Sequence, residues 1–330
     1  MPVPPFDKDS SPKGGIALSP GDPAGIGPEV IVKAAAALPA ALRRRLSVYG
    51  DARHFTALAR RWAPELAVGA GGLRVINVLD FGMKRGEYGQ VNRRCGAIAM
   101  RCLDAAMDAV TAGRHAALVT APICKESVNL AGWKIPGHTE YLAARAGGIP
   151  VAMMLASEKL KVVVATTHIA LRDVPRALDA RKLTALILLV HRSVTAFGMK
   201  SPRIAVCGLN PHASDGGLFG DEERRIIAPA IAAARRRGVI VSGPHPADTM
   251  FTASARAKYD VALAMYHDQG LIPVKALSFG ETVNVTLGLP YLRVSVDHGT
   301  AFDIAGKGIA DARPMIHAVK TAARMLAGRW

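Results

Sequence analysis

Residues 161–168 read KVVVATTH, a lysine and an unbroken apolar run followed by two threonines and a histidine. A short run rich in β-branched residues is the signature of a strand buried on both faces. The polar residues after it then stand at the carboxyl end of that strand. The same order recurs downstream, in IAVCGLNPH at 204–212 and VALAMYHDQG at 261–270. Directly or past a turn, the three runs end in His168, His212 and His267. Working outward, Ile16–Ser19, Leu46–Tyr49, Ala116–Thr120, Lys161–Thr166, Arg203–Cys207 and Val261–Met265 read as strands. Pro28–Leu38, Gly96–Ala112, Asp221–Arg237 and roughly Arg313–Leu326 read as helices by their Ala/Leu-rich 3.6-residue pattern. Strand and helix alternate along the chain, which predicts α/β sheets with helices on both faces. The length of 330 residues suits two lobes, and no repeat or low-complexity linker separates them.

Composition narrows the class. Half the residues are hydrophobic, yet no stretch approaches the 18 or so apolar residues that a membrane helix needs. The opening MPVPPFDKDSSPKG carries four prolines and no apolar block, so residues 1–14 are expected to be a disordered tail, not a signal peptide. Cys95, Cys102, Cys124 and Cys207 form no CxxC pair and fit free thiols in a reduced cytoplasm. Cys124, beside Lys125, is the candidate reactive thiol among them. The net charge of +16 invites a nucleic-acid reading. Much of it, however, is arginine in short helical runs such as Arg43–Arg45 and Arg235–Arg237, and only 5% of residues are aromatic. Stacking platforms for single strands are therefore scarce, and no nucleic-acid partner is expected.

In parallel sheets ligands gather at the carboxyl ends of strands. Three imidazoles placed there, His168, His212 and His267, could converge on a divalent ion and leave a fourth position open, as in a catalytic metal site. No local ligand pair such as HExxH supports this, and any one of the ten histidines could equally be a surface or hydrogen-bonded residue. The turn GDPAGIGP at 21–28, flanked by Asp22 and Glu29, could hold phosphate on backbone N–H groups or simply need positive φ. It has neither the GxGxxG nor the GK[ST] pattern. Lys275, Asn284 and Arg293 combine two cations with an amide and suit a phosphate or carboxylate, although two surface cations and a turn asparagine would read the same way. His138 and Thr139 follow a Pro-Gly turn. Asp248 and Asp268 are candidate catalytic carboxylates, for proton transfer or for orienting a ligand histidine.

Taken in order, GDPAGIGPE, TAPICKESVNLAG, PGHTEY, TTHIALRDVP, GLNPHASDGG, GPHPADT, YHDQGLIPVK, VNVTLGLPYLR and SVDHGTAFDIAG resemble the 4-hydroxythreonine-4-phosphate dehydrogenase (PdxA) family from about Ile16 to Asp311. The resemblance implies an isocitrate/isopropylmalate dehydrogenase-like fold of two α/β/α lobes with the active site in the inter-lobe cleft. It implies a first lobe of residues 15–130 and 300–330. The second, residues 131–299, would carry the metal and phosphate sites and the interface of a homodimer. It implies three metal ligands, His168, His212 and His267, with His212 shared across the dimer, and a Zn, Mg or Co ion. Substrate binding falls to His138, Thr139, Lys275, Asn284 and Arg293, the last three on the phosphate.

HGTAFDIAGKGIAD, residues 298–311, is similar to the loop with which isopropylmalate and isocitrate dehydrogenases hold the adenosine end of NAD or NADP. That places His298, Gly299 and Asp311 at the cofactor, with Asp311 where those enzymes carry an asparagine. The activity implied is oxidation of 4-phosphohydroxy-L-threonine to 2-amino-3-oxo-4-phosphooxybutanoate, which loses CO₂ to give 3-amino-2-oxopropyl phosphate in pyridoxal phosphate biosynthesis. After His212 the chain has Ser-Asp-Gly-Gly where biosynthetic members tend to Gly-Glu-Gly-Gly. Relatives acting on D-threonate or D-erythronate 4-phosphate are therefore an alternative. A cis-dihydrodiol dehydrogenase, a phosphate acyltransferase and a basic nucleic-acid-binding module are more distant ones.

Overall fold

A computed structural model describes residues 14–69, 71–278 and 280–330. The expected tail lies outside the described residues apart from Gly14, whose carbonyl accepts from Arg45 Nε at 2.7 Å. The strands in chain order are β1 (Ile16–Ser19), β2 (Leu46–Gly50), β3 (Arg74–Asn77), β4 (Ala117–Thr120), β5 (Ala152–Ala156), β6 (Lys161–Val164), β7 (Ile204–Cys207), β8 (Val241–His245), β9 (Val261–Ala264), β10 (Val283–Leu287) and β11 (Leu292–Val296). The helices used below are α1 (Gly27–Ala37), α2 (Ala52–Trp62), α3 (Arg93–Thr111), α4 (Lys125–Leu130), α5 (His138–Arg145), α6 (Ala180–Ala196), α7 (Ala228–Arg235), α8 (Ala247–Met250), α9 (His267–Ser278) and α10 (Arg313–Leu326).

The described residues form two compact units, one running from 14 to 149 and from 289 to 327, the other from 150 to 288 and from 328 to 330. The divisions fall at 149/150 and 288/289, where the sequence reading has 130/131 and 299/300. The first unit therefore keeps the PGHTEY segment and β11, and with them His138, Thr139 and Arg293, which that reading assigned to the second lobe. The physical reason is strand pairing: β11 lies beside β4 in parallel register, Arg293 opposite Leu118, and belongs to the first unit's sheet.

Within the first unit the order is β3-β2-β1-β4-β11, all parallel. Every residue of β1, β2, β4 and β11 is buried. Successive side chains point to opposite faces, so both faces of this sheet are covered. Helix α3 packs on β1, β2 and β4, and α10 on β11, β4 and β1. Asp51 caps α2 by accepting from Arg53 and His54 N–H, and Asn92 caps α3 by accepting from Arg94 and Cys95 N–H.

Within the second unit the order is β10-β5-β6-β9-β7-β8. β10, β5 and β6 are mutually antiparallel, whereas β6, β9, β7 and β8 are parallel. Asp179 caps α6 by accepting from Lys182 N–H. The expected helix Asp221–Arg237 is a π-helical turn at Glu223–Ile227 that passes into α7. Pro229, at the start of α7, has no N–H to donate to the preceding turn. Among the described residues no helix is long and apolar enough to cross a membrane.

Candidate functional site

β6 and β9 are adjacent and parallel, with Val162 opposite Ala262 and Val164 opposite Ala264. Their carboxyl ends therefore emerge side by side. Past them Thr166 donates both its N–H, at 3.2 Å, and its hydroxyl, at 2.8 Å, to the Met265 carbonyl. This tie continues the pairing one step beyond the strands. It leaves His168 and His267 facing each other, ring centroids 5.7 Å apart and tilted by 45°. His267 opens α9, and its Nδ1 lies 2.6 Å from Asp268 Oδ1. That contact occupies Nδ1 and fixes the ring's orientation. A cleft of about 470 Å³ is lined by Thr167, His168, Ile169, Leu171, Val174, Tyr266, His267 and Asp268.

His212 does not join them. Among the described residues no three His, Cys, Asp or Glu side chains gather as a metal site. β7 lies next to β9, but the chain beyond it enters a left-handed turn with φ of 53, 53, 68, 45 and 73° at His212, Ala213, Ser214, Asp215 and Gly216. This turn sets the His212 ring against Phe219, 6.5 Å away. Each non-glycine residue held there costs roughly 1–2 kcal/mol, so the turn needs external support. Glu223 supplies it. The buried carboxylate accepts from Leu209 N at 2.7 Å, Asn210 N at 2.8 Å and Asn210 Nδ2 at 2.9 Å. Burial pushes the Glu223 carboxyl up, but the Asn210 and Leu209 hydrogen bonds outweigh it and hold the pKa below the usual value.

Gln269 also ties the strand ends together, although nothing in the sequence reading singled it out. Its Oε1 accepts from Met265 N and its Nε2 donates to Gly208 O, both at 2.7 Å. Lys275 lies further along α9 and Asn284 on β10, both half-buried. Asn284 Oδ1 is buried with no hydrogen-bond partner. Asp248 is exposed on the short α8 that follows β8.

In the first unit, Arg293 is 2% exposed and donates from Nη2 to Thr120 Oγ1 at 2.8 Å. Burial lowers its pKa to about 10. His138, the first residue of α5, keeps its Nε2 buried and without a partner. Burial, and then the neighbouring Arg293 charge, lower its pKa to about 3, so the imidazole is neutral. The Tyr291 hydroxyl is also buried without a partner. A guanidinium next to unfilled polar atoms is the chemistry of an anion seat. Thr139 follows His138 on α5 and is half-buried.

His298 Nδ1 lies 2.9 Å from the Gly299 carbonyl oxygen. Asp311 accepts from Arg313 N and Nε at 2.9 and 2.8 Å. These bonds hold its carboxyl below the usual range. A carboxylate is an acceptor only, so it lacks the donor that an asparagine amide offers at the same place. The glycine-rich turn is a packed corner. Gly21 has φ of +70°, and a Cβ there would stand 2.1 Å from the Pro122 carbonyl oxygen. Asp22 within it is fully buried, accepts from Ala24 N at 2.9 Å, and has its pKa raised to about 6 by burial. Cys95, Cys102 and Cys207 are buried thiols pushed up to about 12 by burial. Cys124 is half-buried and caps α4, its Sγ accepting from Ser127 N at 3.5 Å.

Residues 27–322 match the family model described as "Pyridoxal phosphate biosynthetic protein PdxA". The chain is 49% identical over 323 residues to a 4-hydroxythreonine-4-phosphate dehydrogenase of Roseobacter denitrificans, covering 94% of this chain and 97% of that one. It is 42% identical over 324 residues to a D-threonate 4-phosphate dehydrogenase of Salmonella typhimurium, covering 94% and 98%. A crystal structure of 4-hydroxythreonine-4-phosphate dehydrogenase from Klebsiella pneumoniae superposes with a TM-score of 0.85 at 42% identity, covering 96% and 99%.

Proposed function

The chain belongs to the PdxA family and is a dehydrogenase, and from that premise we propose that it oxidises 4-phosphohydroxy-L-threonine with NAD or NADP and a divalent ion. The product, 2-amino-3-oxo-4-phosphooxybutanoate, then loses CO₂ to give 3-amino-2-oxopropyl phosphate. The observation that carries this reading is the His168–His267 pair at the ends of neighbouring strands, with Asp268 holding Nδ1 of one ring.

These two rings fit a divalent ion as nitrogen donors, with Asp268 as the orienting group. The third donor is proposed to be His212 of the partner subunit in a homodimer, since within one chain His212 stands apart. Held by His168 and His267, a Zn, Mg or Co ion would supply Lewis acidity toward the substrate hydroxyl, and NAD or NADP at the His298–Asp311 loop would supply the hydride acceptor. The chain's own residues bind, orient and move the proton. His138, Thr139, Lys275, Asn284 and Arg293 are proposed to bind the phosphorylated substrate. A neutral His138 can donate or accept one hydrogen bond without adding charge beside Arg293. Asp248 is the proposed proton acceptor. His298, Gly299 and Asp311 are proposed to hold the adenosine end of the cofactor. The cytoplasm, where nicotinamide cofactors are available and thiols stay reduced, is the proposed compartment.

A single assay tests the proposal. NAD(P)H formation is followed spectrophotometrically with 4-phosphohydroxy-L-threonine, D-threonate 4-phosphate and D-erythronate 4-phosphate, with added divalent ions or with EDTA. Metal-dependent turnover, fastest with the first substrate, is expected. Preference for D-threonate 4-phosphate would move the enzyme to the activity named for the Salmonella relative, and preference for D-erythronate 4-phosphate to the other alternative. No turnover with any of the three would overturn the reading.

A further inference from the structure

The loop His298–Asp311 is held by a device that the reaction scheme leaves unassigned. Glu29, the third residue of α1, is 2% exposed, and Lys33 stands one turn later. Lys33 Nζ donates to Glu29 Oε1 at 2.8 Å, to the Gly308 carbonyl at 2.7 Å and to the Ala310 carbonyl at 3.0 Å. An ammonium has three protons, and here each has an acceptor. Glu29 accepts in turn from Ala310 N at 2.8 Å and Gly308 N at 3.3 Å. One ion pair thus takes up the N–H and the C=O of both Gly308 and Ala310. It acts as a short strand edge would, and leaves the intervening Ile309 side chain in solvent.

The rest of the loop is seated as closely. Ile26 N donates to the Thr300 carbonyl at 3.0 Å. A Cβ on Gly89 would come within 2.4 Å of the Phe302 carbonyl oxygen, and one on Gly308, at φ +76°, within 2.6 Å of Trp62 Nε1. A loop with this many backbone anchors is preorganised, and preorganisation lowers the entropy lost when a ligand binds.

We propose that Glu29 and Lys33 are positioning residues that clamp Gly308 and Ala310 and so preset the His298–Asp311 loop for the adenosine end of NAD(P). This inference rests on the cofactor role assigned to that loop above. Neither side chain touches the cofactor; both act through the loop backbone.

The test uses the full-length protein carrying Glu29→Gln and Lys33→Met together, so that no buried charge is left unpaired. NADH and NADPH affinity is read by fluorescence titration, backbone release by amide hydrogen exchange, and folding by thermal melting. The double variant is expected to fold, to exchange faster at Gly308 and Ala310, and to bind the preferred nucleotide roughly tenfold more weakly. Its affinity for inorganic phosphate, read by calorimetry, should stay at the wild-type value. Lys33→Arg, which keeps the charge and the donors, should restore most of the affinity. A folded double variant with nucleotide affinity within about twofold of wild type overturns the clamp while leaving the cofactor reading intact. If the double variant does not fold, Glu29→Gln alone is titrated, and wild-type affinity in that variant is equally fatal. Wild-type protein that binds neither nucleotide rejects the cofactor reading itself, and the clamp's role with it.

Discussion

Replacing Arg293 with methionine should leave the ligand-free fold nearly as stable as before while removing most of the activity. The guanidinium is 2% exposed, and burial lowers its pKa from 12.5 to about 10. At about 1.4 kcal/mol per unit, the difference of roughly 2.5 means that keeping this group charged costs the native state on the order of 3 kcal/mol. The sign is that of a depressed base. The penalty is fully present at pH 7 and is relieved only as pH rises past 10. Methionine fills much of the same volume without charge and removes that penalty. It also removes the 2.8 Å bond to Thr120 Oγ1 and leaves that buried hydroxyl without this donor, a loss of about 1.5–3 kcal/mol. The two effects nearly cancel, so urea unfolding at pH 7 should place Arg293→Met within about 2 kcal/mol of wild type. A phosphorylated substrate loses its charged partner, at about 2–4 kcal/mol, or roughly 30- to 1000-fold in kcat/KM by the NAD(P)H assay. A variant destabilised by more than about 4 kcal/mol would show that Arg293 is structural. One whose kcat/KM changes by less than about fivefold would remove it from substrate binding.

Three further outcomes follow from the same geometry. Asp268→Asn removes the carboxylate that orients His267 and should weaken Zn or Co binding by about 10- to 100-fold in calorimetric titration, with folding retained; unchanged affinity would separate Asp268 from the metal. Asp22 has a raised native pKa near 6 against 3.8 unfolded, so its contribution to stability falls as pH rises from about 4 to 6 and stays low above that. Asp22→Asn keeps the acceptor for Ala24 N and should gain up to about 3 kcal/mol at pH 8 and about half that at pH 5, read from urea midpoints; an equal effect at both pH values would contradict the buried-carboxyl account. His54 packs against Phe55 and Phe81 with its Nε2 buried and without a partner, and burial lowers its pKa to about 4. The unfolded chain therefore takes up a proton that the native state refuses between about pH 6.5 and 4, and stability drops as pH falls through that window. His54→Phe should reduce the acid-side slope by about 1.4 kcal/mol per pH unit, and an unaltered slope would assign the acid sensitivity elsewhere.

The α/β class, the buried strands β1, β6, β7 and β9, and a histidine beyond the ends of the last three are local properties. An apolar run and the polar group that ends it are adjacent in the chain, so sequence alone determined them. The helix at about Arg313–Leu326 was legible for the same reason, its apolar stripe being periodic from end to end. The quieter elements were not. β5, AMMLA, has the composition of a helix and is a strand because β10 and β6 pair with it on either side. β10 and β11 were hidden inside a segment whose charged residues drew attention to chemistry instead. Only tertiary structure decided that His168 and His267 meet, because nothing local tells two strands a hundred residues apart that they are neighbours. Only it decided that His212 turns away, since the left-handed turn follows Leu209 and Asn210, which Glu223 holds from the following helical segment. The clamp from α1 to Gly308 and Ala310 joins residues some 280 positions apart. An isolated chain segment carries no record of such contacts, because their energy exists only once the strands between them have paired.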